Sequence, residues 1–222
     1  MLEPSAENER ALGFAYVEYG VLDQAFDHFQ AALQFDPHDF EAFDAVARIW
    51  RDWGFSALAL PNAYRAVYWA PTSASAHNTL GTVLLKLGLR DAARERFQTA
   101  RELDPSAAYP LNNLCYVSLH EAKPEEAAEW CRAAADADPE SVQVRNNLAL
   151  ALARGGNVDD AVAVLDAGNQ TAVAAYNQAV LLLAAHQSDR AREALMRARR
   201  SDPTFAPALT LLKQLAFPGT GN

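Results

Sequence analysis

An all-α solenoid of stacked helical hairpins is the fold class this 222-residue sequence predicts, and three observations carry the prediction. Prolines 37, 71, 105 and 139 recur at a step of 34 residues, with Asp before Pro37, Pro105 and Pro139. Two columns of small residues keep the same step: Ala25, Ala59, Ala93, Ala127 and Ala161, then Ala32, Ala66, Ala100, Ala134 and Gly168. Between them runs a bulkier column of Phe29, Ala63, Phe97, Cys131 and Leu165, and earlier in each unit stands a pair, Leu12-Gly13, Val46-Ala47, Leu80-Gly81, Leu114-Cys115 and Leu148-Ala149. Self-similarity at a fixed period of this length marks one supersecondary unit used repeatedly. Small columns let two antiparallel helices approach closely, and bulky ones fill the gap to the next unit. Each proline stops a second helix, because the residue before it is pushed out of the helical region.

These residues resemble the tetratricopeptide (TPR) motif, a large apolar residue before Gly or Ala, then an aromatic, Ala, Phe, Ala and a closing Pro. The resemblance covers about residues 6–203. It implies a right-handed superhelix of six helix-turn-helix units, about 6–39, 40–73, 74–107, 108–141, 142–171 and 172–205, in a single domain spanning 1–222. The fifth unit departs from the pattern: Pro139 and Pro203 are four residues short of two repeats, and Gly168 reads as a left-handed helix stop. Its second helix is expected to be about one turn short, with the superhelix locally distorted. Residues 206–217 leave room for a capping helix over the last unit's open apolar end. Pro61 is expected to make the second helix of unit two start late or bend, whereas Pro124, before Glu125 and Glu126, suits a first turn.

Composition narrows the function. A net charge of −9 and a pI near 5.0 give no general attraction to phosphate backbones or anionic lipid, so neither nucleic acid nor membrane insertion is expected. The opening residues lack a basic start followed by an apolar stretch, and no apolar run would span a bilayer, so a cytoplasmic location is the plain expectation. Cys115 and Cys131 are read as small core hydrophobes, with neither a disulfide framework nor a zinc site. His28, His38, His77, His120 and His186 are scattered without ligand spacing, and no phosphate loop or nucleophile elbow is present. No enzyme activity and no cofactor are expected.

The resemblance places the first helix of each unit on a concave wall. There Asn78, Asn112, Asn113, Asn146, Asn147, Tyr176 and Asn177 point away from the packing columns, with Tyr109 and Tyr116 beside them. Asn is a mediocre helix former, so its repetition on one face needs a reason. A carboxamide offers donors and an acceptor that suit the main chain of an extended peptide, or else the Asn residues bridge neighbouring helices of the solenoid. This resembles the asparagine ladders of peptide-binding TPR superhelices. Asn113, Asn147 and Asn177 share one repeat position and are the first candidates. Arg48, Arg51 and Arg154 could fork a partner carboxylate or serve as ordinary salt-bridging residues. Arg10 and Phe14 stand where a chaperone-binding clamp would need a Lys and Asn arrangement. Tyr64 and Tyr68, four apart on one helical stripe, form a second candidate surface, or they cover the gap left by Ala63; Trp50 and Trp69 are read as core.

An adaptor capturing an extended protein or peptide segment is therefore the favoured function, similar in kind to bacterial multi-TPR proteins of pilus assembly and secretion. The alternative is an architectural protein that associates weakly with itself. It draws on ten acids against Arg10 alone in residues 1–45 and on five arginines between 190 and 200. RNA binding of the pentatricopeptide kind is disfavoured by the Ala columns and by the acidity.

Overall fold

Every repeat step found in the sequence returns as a pair of helices in the computed structural model, which describes residues 4–167 and 171–216. Packing groups the chain into two compact units, Met1–Asn113 and Leu114–Asn222. The first unit contains α1 (Ala6–Glu18), α2 (Leu22–Phe35), α3 (Phe40–Asp52), α4 (Ser56–Trp69), α5 (Ala74–Lys86), α6 (Arg90–Leu103) and the start of α7 (Ala108–His120). The second holds the rest of α7 with α8 (Pro124–Ala137), α9 (Val142–Arg154), α10 (Val158–Asp166), α11 (Ala172–Ala184), α12 (Ser188–Ser201) and α13 (Ala206–Ala216). Among the described residues there is no strand.

In five of the six hairpins the first helix begins at a side-chain cap, α7 following Ala107 instead. Ser5, Asp39, Ser73, Ser141 and Thr171 each accept a backbone N–H three residues on, satisfying a donor the helix cannot. Between the two helices the chain reverses at one residue with positive φ: Gly20, Gly54, Gly88 and Gly156, but Ala122 (φ 56°) and His186 (φ 59°) in the remaining two hairpins. A Schellman pair of hydrogen bonds closes the turn in each case, as with Gly20 N–H to Val17 and Val21 N–H to Tyr16. The left-handed conformation costs a residue with a Cβ about 1–2 kcal/mol, so the Ala122 and His186 turns carry strain that the glycine turns avoid.

Inside two of the hairpins a close approach joins residues 16 apart. A Cβ on Gly13 would lie 2.7 Å from the Phe29 ring, and one on Gly81 would lie 2.5 Å from the Phe97 ring. The glycine is thus the socket for the phenylalanine. Buried layers form around these contacts: Ala25, Phe29, Ala32, Val46 and Ile49 in the first unit, and Cys115, Cys131, Leu148, Leu152 and Leu165 in the second. At the far end α13 lays Ala208, Leu211, Leu212 and Leu215 against Ala191, Leu195 and Ala198, which is the expected cap. Phe217 and Gly168 lie outside the described residues.

Three expectations are corrected. Cys115 and Cys131 are buried as expected but are joined in a disulfide, Cα–Cα 5.3 Å. They occupy the Gly-Phe contact position of their hairpin, where facing helices are close enough to bond. Helix α4 does not start late: it runs through Pro61 from Ser56. Pro61 and Ala57 are both exposed, so the Ala57 carbonyl that loses its helical donor can bond water. Trp69 is not core but 42% exposed, stacked edge-on against His38 at 4.1 Å. The shortened helix is found: α10 has nine residues where the other second helices have fourteen. Its last residue, Asp166, accepts from buried Gln178 on α11, which in turn accepts from Arg197 on α12, tying the truncated end to the next hairpin.

Candidate peptide-binding surface

Successive first helices place two repeat columns side by side. One reads Asp44, Asn78, Asn112, Asn146 and Tyr176; the next residue of each reads Ala45, Thr79, Asn113, Asn147 and Asn177. In the first unit Asn113 Nδ2 donates to Asn78 Oδ1 at 2.7 Å. In the second, Asn177 Nδ2 donates to Asn146 Oδ1 at 3.2 Å. Thr79 hydrogen-bonds Asp44 in the same relation, the second column of one hairpin bonding the first column of the hairpin before it. The Asn residues are therefore rungs between neighbouring hairpins. Each rung uses one donor of a group that has two, and one lone pair of an acceptor that has two, so the carboxamides keep capacity for more bonds. Asn112 is only 7% exposed and offers a partner little surface.

The Asp44 rung differs in charge. Asp44 is 8% exposed, and Oδ1 has no partner of good geometry among the described residues. Burial holds its carboxyl above the usual carboxylate range, opposed by the Thr79 hydrogen bond, the charge of Arg48, Ser75 Oγ at 3.4 Å and the charge of Arg51. Asp44 and Thr79 escape a search for repeated Asn, yet they stand one repeat before Asn78 and Asn113, so the column arithmetic points to them.

The arginines divide. Arg51 donates to Thr82 on α5 and pairs with Asp52, and Arg154 donates to the Leu119 carbonyl at the end of α7, adding a second bond to the one it accepts from Ala122 N–H. Both tie hairpins together. Arg48 is exposed beside Asp44. Tyr116 is half-exposed and lies against His120, and Tyr176 packs on Phe205.

Beside the Asn146–Asn177 rung lies a cleft of about 740 Å³ in the second unit. Its walls are the N-terminal halves of α9 and α11, and Leu165 and Ala167 line it at the truncated end of α10. Val142 and Val173 supply exposed apolar contacts, the rung supplies amide groups, and Glu140 and Arg145 supply opposite charges. Val142, Arg145 and Val173 carry no repeated signal; the four-residue deletion in the fifth repeat is what marks the place. On α4, Tyr64 and Tyr68 are exposed, Tyr68 to 73%, which is too open for filling the space beside the fully buried Ala63. Tyr68, Trp69, Phe43 and Arg65 line a hollow of about 800 Å³, with the Arg65 guanidinium 5.5 Å from the Phe43 ring centroid. Among the described residues no cluster of His, Cys, Asp and Glu could hold a metal ion, and no helix is long and apolar enough to cross a membrane.

Antiparallel helical hairpins, joined within each unit by rungs between first helices, define an all-α helical-repeat scaffold. Residues 78–142 and 132–172 match the family model Tetratricopeptide repeat, and the described hairpins outside that stretch share its helix-turn-helix form. No curated protein matches the sequence significantly. Among solved structures, that of Pseudomonas aeruginosa PilF is 22% identical, with a TM-score of 0.74 over 94% of this chain and 97% of that one. PilW, described as a widely conserved type IV pilus biogenesis factor, is 19% identical with a TM-score of 0.81, covering 93% and 98%. YrrB, described as a TPR protein with an unusual peptide-binding site, is 21% identical with a TM-score of 0.62, covering 83% and 97%. At these identities the likeness is one of fold.

Proposed function

We propose that the chain is a non-catalytic adaptor that holds an extended segment of a partner protein against its first helices, with the α9–α11 cleft as the principal seat. The observation that carries this reading is the cleft itself: exposed Val142 and Val173 sit beside a carboxamide rung with unspent bonding capacity, within reach of one acid and one base. Alternating side chains of an extended segment would meet the valines while its main chain pairs with the amides. Anchoring apolar contacts with a few placed polar groups is the usual make-up of such seats. The likeness to PilF and PilW supports a setting in the assembly of a larger apparatus, and YrrB supplies a precedent for peptide capture on the same fold.

Replacing Val142 and Val173 with Glu places like charges on the cleft wall without touching any rung. The expected result is loss of partner capture in pull-downs from the native cell, at unchanged helical content and melting temperature. Undiminished capture by this variant would remove the cleft from the account.

A further inference from the structure

The disulfide occupies a repeat position that in two other hairpins brings a glycine against a phenylalanine ring. Gly13 with Phe29, Ala47 with Ala63, Gly81 with Phe97, Ala149 with Leu165 and Ala179 with Leu195 are each 16 residues apart, as are Cys115 and Cys131. Five hairpins solve this contact by packing alone, which shows that the fold does not require sulfur there. The fourth solves it with the chain's two cysteines, bonded and both fully buried between α7 and α8. Free cysteines are readily accommodated as small hydrophobes, so burial alone would not call for a bond. The Cα separation of 5.3 Å lies in the middle of the range for bonded pairs.

We propose that Cys115–Cys131 is a structural disulfide formed while the chain folds, and that the protein works in an oxidising compartment outside the cytosol, in place of the cytoplasmic location expected from the sequence. Cytosolic thiol systems keep such pairs reduced, whereas exported proteins retain them. Formation proceeds by exchange. One Cys thiolate attacks the disulfide of a thiol-oxidising protein and expels one of its sulfurs as thiolate. The second Cys thiolate then attacks the mixed disulfide, forms the Cys115–Cys131 bond and releases the donor as a dithiol. The two cysteines lose two electrons and two protons in total, and the donor disulfide gains them. Neither sulfur can be reached once α7 and α8 have closed, so the exchange precedes closure of the hairpin and reduction requires its opening. The bond is thus a permanent staple rather than a fast redox switch.

The test begins with the full chain in its native cells, quenched with acid to freeze thiol exchange and labelled with a maleimide-polyethylene glycol. No added mass before reduction and two adducts after it are expected, with the oxidised chain in the exported fraction. Two adducts without prior reduction would overturn the bond, and oxidised chain in the cytosolic fraction would overturn the compartment. In the purified protein, reductant should release thiols at least about tenfold more slowly from the native state than in denaturant; equal rates would contradict the sealed site. Reduction should lower the melting temperature by roughly 5–10 °C, from the usual worth of a bond closing a loop of this size. The double variant Cys115→Gly/Cys131→Phe copies the Gly81–Phe97 contact, and its melting temperature should ignore reductant. A wild-type melting temperature equally indifferent to reductant would mean that the bond holds nothing.

Discussion

The rung at Asp44 and the rung at Asn146 occupy one column of the repeat, yet they do opposite things to the stability of the stack. Asn177 meets Asn146 as neutral amide to neutral amide, and both groups find partners across adjacent hairpins. Thr79 and Ser75 meet a buried carboxylate whose second oxygen has no good partner among the described residues. The seam between first helices therefore accepts an ionisable group without needing one: geometry is common to the column, and the cost of burying a charge falls on the one member that can carry it.

Neutralising the charged rung is the sharpest way to test that contrast. Asp44→Asn copies the Asn78 rung and removes an ionisable group whose charged form burial disfavours; it should stabilise the protein by about 1 kcal/mol or more near neutral pH, read by denaturant unfolding. The pH dependence fixes the cause. Because the folded-state pKa of Asp44 is raised, the folded chain binds the extra proton: this group's stabilising contribution is whole below its unfolded pKa and is lost as pH rises through the folded one. The advantage of Asp44→Asn over wild type should accordingly shrink toward zero as pH falls below the ordinary Asp range. An advantage that stays constant with pH would assign it to packing instead.

Breaking a neutral rung should act the other way. Asn113→Ala and Asn177→Ala are each expected to cost about 0.5–1.5 kcal/mol, because each strands an amide acceptor on the hairpin before it. Melting temperatures unchanged in both would show that the rungs are ornamental to the stack. Smaller again is the turn effect: Ala122→Gly matches the glycines at the same turn in four other hairpins and should stabilise by about 1 kcal/mol, whereas Gly88→Ala should cost a similar amount.

The architecture was legible because it is written many times over: prolines, alanines and the shortened fifth repeat each return as helix ends, close contacts and a nine-residue α10. What stayed hidden depended on register between hairpins rather than within them. Asn113 and Asn78 are 35 residues apart, one more than the repeat, and only a stacked pair of helices brings that offset into bonding distance. Of the two roles open to the Asn residues in the sequence, bridging between neighbouring helices is the one seen at Asn113–Asn78 and Asn177–Asn146. Arg51 and Arg154 likewise spend donors on Thr82 and Leu119, neither of which is the carboxylate partner expected of them. The disulfide was hidden for a different reason: a spacing of 16 has no meaning until Gly13 and Phe29 show it to be the distance between facing helices. Trp69 shows the limit of column logic, since the column that ends a second helix sits at the surface, where Phe35 and Leu103 are exposed as well.

A photo-activated crosslinking residue placed at Val173, inside the cleft, and compared with the same residue at exposed Arg199 on α12, tests the adaptor reading most directly. The account predicts that, in native cells, Val173 gives an adduct with one recurrent extended segment of a partner protein, and that Arg199 gives none. Adducts of equal yield and identity from both positions, or none from Val173, would contradict it.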